Sequence, residues 1–235
     1  MMTKVTRISV VGLVVAALAG ATYAGFGDLA KGATAPGGGA TVDVKGLGVK
    51  FDTSVLAIGM ARKQLLEAQI DLAAALGIKE QVDKALAATD VMKNGVVDPA
   101  KDVKAVEKQV NVSKEIAALE KTAVEKNQPL TEEGKKLFNS AMEKFGLGMT
   151  AEGAQIATLV VVVKEIKDSA AKVKSDPMQG AKVAAMVPPA TQLLSLVPGD
   201  VKEMAATYQL MRKVGADNKI EVKAIDAAAL TKGAE

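Results

Sequence analysis

Few residues in this chain stand at spacings that carry chemistry. Ser169 and Lys172 make a Ser-x-x-Lys pair, the arrangement in which a lysine amine activates a serine nucleophile. The Ser-Asp-Asn and Lys-Thr-Gly elements that complete such a site are missing, and the pair falls in a strongly patterned helix, so a solvated helix face accounts for it. Gly146-Leu-Gly148-Met-Thr-Ala151 fits a loose dinucleotide-binding fingerprint, but it follows a helical pattern with no strand before it, which makes the fit accidental. Met142 with Met149, and Met204 with Met211, share helix faces at a spacing of seven. Thioethers so placed can hold Cu(I), yet seam positions are also where methionine fills a core, and the second reading is adopted. Glu132-Glu133 opens a helix, where negative charge complements the dipole, and no second acid is spaced to converge on either. Tyr208 reads as a core residue with a wetted hydroxyl, and the sequon Asn111-Val-Ser113 falls inside a helix.

What is absent narrows the chemistry further. The 235 residues include no Cys, His or Trp, which removes the Ser-His-Asp triad, the Cys-His dyad, imidazole or thiolate zinc sites and ordinary haem ligation. A formal charge of +3 and 3% aromatic residues leave little for phosphate neutralisation or base stacking, so no nucleic-acid partner is expected. No catalytic, cofactor-binding or metal-binding residue is assigned, no cofactor is expected, and the chain is read as not an enzyme.

The amino terminus carries an address. Lys4 and Arg7 precede an apolar run from Ile8 to Leu18, and small residues follow to Ala24, in the order of a secretory signal peptide. Cleavage is expected after Ala24, with Ala21 the alternative, and no transmembrane segment is expected after cleavage because the run is shorter than the roughly 20 residues that span a bilayer. No Cys follows to take a lipid, and no Arg pair precedes. Loss of Lys4 and Arg7 from 30 cations leaves 28 against 27 acids, so the slight basicity belongs largely to the address. The expected location is the periplasm or the outside of a bacterial envelope. There, without disulfides, packing alone must hold the fold.

The elements that would position any site follow from periodicity. Residues 25–52 are Gly-rich at first, carry Pro36 and read as a flexible leader, with brief alternations at Thr41–Lys45 and Lys219–Lys223 compatible with a short strand pair. From about Thr53 the pattern is helical: Ile58, Leu65 and Leu72 recur by sevens, with Ala61, Ala68 and Ala75 three positions after each, a seam that lets a neighbouring helix come close. Gly77 stops this helix, and Ile78, Val82, Ala85 and Leu86 begin a second that ends near Asn94-Gly95. Asp98-Pro99 opens a third, running to about Asn127 through Val103, Val106, Val110, Ile116, Leu119 and Ala123. Thr131 caps the longest. Along it Phe138, Met142, Phe145, Met149, Glu152, Ile156, Leu159, Val163, Ile166, Ala170 and Val173 alternate by four and three, with Glu152 the only polar member. Gly146, Gly148 and Gly153 cluster around that member and mark where the helix would bend or break. Beyond Asp176-Pro177 a helix from about Met178 should stop or kink before Pro188-Pro189, and Asp200 with Glu203 resembles a capping box for a last helix, Val201 to Val214, closed by Gly215. A final turn near Ala227 to Leu230 lies in the tail.

The fold expected is all-α, an elongated antiparallel bundle of four to five helices with a long heptad-patterned central helix and a Pro-kinked C-terminal arm. Residues 1–24 form the signal peptide, 25–52 the leader, 53–215 the bundle and 216–235 the tail. Heptad seams without reactive side chains point to an exported non-catalytic protein of the bacterial envelope that acts by protein–protein interaction or as a scaffold, with a protein partner or self-association through its seams. The alternative is a periplasmic carrier of a lipid or other apolar ligand, held under the Pro-broken arm 186–198. A carboxylate- or metal-dependent enzyme built from Asp, Glu, Lys, Ser or Tyr is the third reading.

Overall fold

The computed structural model describes residues 42–89, 103–126, 128–173 and 177–222, all within the compact unit that starts at Val42. Among them the chain is all-α, with no strand. Five helices follow in order: α1 (Val44–Ala75), α2 (Lys79–Thr89), α3 (Val103–Glu125), α4 (Glu132–Lys172) and α5 (Pro177–Asp217). The signal peptide, residues 25–41 of the leader, Asn94-Gly95, Asp98-Pro99, Asp176 and the turn at 227–230 lie outside the described residues.

Local signals set most of the ends. Asp43 Oδ1 accepts from Gly46 N at 2.9 Å and caps α1, while Thr131 Oγ1 accepts from Gly134 N at 3.0 Å and caps α4, as its sequence predicts. Gly77 adopts φ 72°, and Ile78 N donates to Ala73 O at 2.9 Å across it, the closing bond of a left-handed helix stop that a Cβ would penalise.

Four expectations need correction. α1 begins at Val44, not Thr53, because Asp43 supplies a cap and Leu47 and Phe51 already bury an apolar face, so the last nine residues assigned to the leader are helix. Val44 and Lys45 therefore lie in a first helical turn, residues 219–222 carry no strand either, and no strand pair forms among the described residues. α4 does not break at its glycines: it is one uninterrupted helix of 41 residues, about 60 Å long. α5 neither stops before Pro188 nor restarts at Val201: it runs from Pro177 to Asp217, past Gly215, with Pro188, Pro189 and Pro198 inside it. Each interior proline costs roughly 3 kcal/mol of intrinsic helix stability. Burial of Val183, Ala190, Leu193, Val197, Met204 and Met211 against the other helices offsets that cost.

Interhelical bonds fix the directions. Lys50 pairs with Glu165, Arg62 with Glu152 and Asp71 with Lys144, so α1 and α4 run antiparallel. Gln109 Nε2 donates to Gly59 O and Ser113 Oγ to Gln69 Oε1, so α3 runs parallel to α1; Val106 and Val110 share one apolar cluster with Leu193 and Val197, and Val124 shares another with Met204 and Met211, so α3 runs parallel to α5 as well. A Cβ on Gly148 would lie 2.8 Å from Leu65 Cγ and 3.2 Å from Leu65 N: α1 and α4 approach too closely there for any larger residue.

Apolar side chains gather in three clusters. One holds Val55, Ile58, Ile156, Leu159, Val163, Leu193 and Val197; a second holds Leu65, Leu72, Phe138, Phe145, Met149, Met204 and Met211; a third joins α2 to α1 and α3 through Leu66, Ala73, Val82 and Ile116. Among the described residues α4 is the helix long and apolar enough, by length and composition, to cross a membrane, and 44% of that stretch is buried inside the bundle.

Candidate functional site

The first two clusters are separated by a polar layer. Along α1 the order is Ile58, Arg62, Leu65; along α4 it is Ile156, Glu152, Met149; along α5 it is Val197, Asp200, Met204. At the middle level three helices thus turn a charged residue inward. Arg62 Nε donates to Glu152 Oε1 at 2.7 Å, with each side chain only 1% exposed, and Arg62 Nη2 meets Asp200 Oδ1. α3 lines the same interior with polar groups: Gln69 and Ser113 bond to one another, Gln109 reaches Gly59 O, and Glu120 is wholly buried.

The electrostatics of this layer are those of charges taken out of water. Burial raises the Glu152 carboxyl above its ordinary value, against the Coulombic pull and hydrogen bond of Arg62. The same burial lowers the Arg62 guanidinium, with Glu152 and Glu203 opposing, although an arginine stays protonated throughout the accessible range. Burial raises Glu120 well above its ordinary value, and the Glu203 carboxylate pushes it further in the same direction. Neither Glu120 oxygen has a hydrogen-bond partner, nor does Glu152 Oε2. Glu203 is half-buried; burial raises it, while Lys114 and Arg62 pull it down.

Such a layer ties helices together at one height. A buried ion pair sets register because any slip leaves an uncompensated charge in the core. Arg62, Glu120, Glu152 and Asp200 are buried, whereas Glu203 is half-buried at the edge of the layer. Among the described residues no group of three or more Asp or Glu side chains is arranged to hold a metal ion.

The motifs weighed from the sequence fall elsewhere. Ser169 and Lys172 lie in the last turns of α4, half-buried and exposed respectively, and Gly146, Gly148 and Ala151 lie inside α4 with no phosphate-binding turn. Met142, Met149, Met204, Met211 and Tyr208 join the apolar cluster below the polar layer. Glu132 and Glu133 occupy the first turn of α4 on the surface, and Ser113 of the sequon is buried. Of the inward charges only Glu152 was marked by its pattern. Arg62 sits one residue after the Ala61 seam position, and a lone cation in a Lys- and Glu-rich helix reads as surface. Asp200 follows Pro198-Gly199 and mimics a helix start, but its carboxylate faces Arg62 instead of a backbone amide.

Outside, one face stands apart. Residues 53–61 of α1 carry no charge, and residues 146–163 of α4 carry only the buried Glu152. The antiparallel register sets these stretches side by side between the Lys50–Glu165 and Asp71–Lys144 ion pairs. Met60 and Val161, 45% and 57% exposed, project from it among Thr53, Thr150, Ala154 and Ala157.

Comparison with protein-family models, curated proteins and solved structures returned no match to this chain.

Proposed function

We propose that this chain is an exported, non-catalytic helical bundle of the bacterial envelope that acts by binding another protein through the outer face of α1 and α4. The observation that carries this reading is the charge-free patch around Met60 and Val161. In a chain with 24% charged residues, nine residues of α1 beside the matching stretch of α4 are free of charge over about two and a half turns, the composition of an interface core, and Lys63, Glu67 and the flanking ion pairs supply a polar rim. The heptad seams themselves are less suited to a partner, because Ile58, Leu65, Phe138, Phe145, Ile156 and Ile166 are covered by the chain's own helices.

The internal architecture supports the same preference. The inward face of the Pro-rich arm, Ala190, Leu193 and Val197, is part of the core, which leaves its underside filled by side chains where a carrier would hold a ligand. Two lined spaces lie away from that arm's inward face: a cavity of about 330 Å³ beside Leu76, Gln128 and Asn218, and an open groove of about 430 Å³ beside Val49 and Met186. Glu120, Glu152 and Asp200 are buried inside the bundle. The export signal at 1–24 sets the compartment in which the partner is sought.

Light scattering and chemical crosslinking of the mature chain, alone and in envelope extract, test the proposal. The expected result is a discrete complex that Met60→Glu with Val161→Glu abolishes while the helical content and melting temperature stay unchanged. A strictly monomeric protein that captures nothing overturns it, as does a complex indifferent to the double variant.

A further inference from the structure

α5 is the helix least able to hold itself. Pro188, Pro189 and Pro198 each remove a backbone donor, and Gly180, Gly199 and Gly215 add backbone freedom, so its helical state depends on what it docks against. Its polar fastenings lie on either side of Pro198, where Gln192 bonds Glu107 of α3 and Asp200 meets Arg62 of α1.

The register between α3 and α5 is fixed at two points. Gln192 Nε2 donates to Glu107 Oε2 at 3.0 Å, and a Cβ on Gly199 would lie 3.8 Å from Lys114 Nζ, so both pairs share a sequence offset of 85. Carried six residues further along these parallel helices, the offset sets Glu120 of α3 level with Ala205 of α5, two residues past Glu203. Glu120 is 0% exposed with both carboxyl oxygens unpartnered, and Glu203 is half-buried. Two acids therefore share one poorly solvated boundary. The other charged groups of that interior are Arg62 from α1, committed to Glu152 of α4 and Asp200, and Lys114 of α3, beside Gly199 at the rim. α2 turns only Val82, Ala85 and Leu86 inward.

We infer that Glu120 and Glu203 form a proton-dependent clasp between α3 and α5, closed while Glu120 holds a proton and loosened when both carboxylates are ionised. A neutral Glu120 is tolerated in an apolar boundary, whereas its anion has no donor and meets a like charge. The raised proton affinity of Glu120, from burial first and the Glu203 charge second, agrees in direction. Loosening is directed at α5 because its helix propensity is the poorest of the bundle, and it gives the protein a pH-sensitive element independent of whichever partner it binds.

Hydrogen exchange of the full mature chain at pH 5.5 and 8.5, corrected for intrinsic exchange rates, reads the clasp directly. The expected result is a fall of roughly tenfold or more in the protection of amides 190–210 at the higher pH, following the tenfold change in ionisation ratio per pH unit, with α4 little changed. Glu120→Gln, isosteric and uncharged, should abolish that fall, and Glu203→Gln should reduce it. Equal protection of α5 at both pH values in the unmodified chain overturns the inference, as does an undiminished fall in Glu120→Gln. Should Glu120→Gln fail to fold, an undiminished fall in Glu203→Gln overturns it equally.

Discussion

Arg62 of α1 and Glu152 of α4 are bonded at 2.7 Å in the centre of the bundle, at the level where the apolar core divides in two. This pair and Asp200 tie three helices together at one height. Removing one member leaves its partners charged and buried, which costs roughly 3–5 kcal/mol, more than the pair contributes against well-packed apolar residues. Arg62→Met and Glu152→Leu should each lower the urea midpoint sharply. The triple variant Arg62→Met, Glu152→Leu, Asp200→Leu should recover most of the loss, and double-mutant analysis of the urea curves measures the coupling.

The pH dependence has a defined sign. Glu120, Glu152 and Glu203 all have folded-state proton affinities raised above the ordinary 4.5. The folded chain therefore binds more protons than the unfolded one between 4.5 and the folded values. Their contribution to stability is fully present below about pH 4.5 and is lost as pH rises through the folded values. Urea unfolding from pH 4.5 to 9 should show a declining contribution in the unmodified chain that Glu120→Gln flattens more than Glu203→Gln does.

Close approach of helices gives a third expectation. Gly148→Ala gains about 1 kcal/mol of helix propensity, but the new Cβ would sit 2.8 Å from Leu65 Cγ and 3.2 Å from Leu65 N. Because backbone as well as side chain is involved, the clash should win and net destabilisation of about 1–3 kcal/mol is expected. Leu65→Ala in the same chain should relieve only the side-chain part, so thermal melts of the double variant should show partial, non-additive rescue.

Much of the architecture could be read from pattern. The recurrence of Ile58, Leu65 and Leu72, the Thr131 cap and the Gly77 stop each rest on local physics and reappear as expected. The start of α1 was hidden because Gly46 and Gly48 weaken a helix that the Asp43 cap and burial of Leu47 and Phe51 restore. The continuity of α5 was hidden because proline signals a break locally while its favourable term, burial against α3 and α4, is tertiary. Glu152 stood out as the polar member of an apolar seam. Its partner Arg62, and Glu120 between Ile116 and Val124, did not, because a charge one position off a seam looks the same whether it faces water or core.

Site-specific photocrosslinking within the envelope tests the proposed interaction most directly. A benzophenone side chain placed at position 60 or 161 should give a protein adduct of one defined mass, and the same probe at the exposed positions 115 and 167, outside the charge-free face, should give none. No adduct from positions 60 and 161, or the same adduct from all four, would contradict the account.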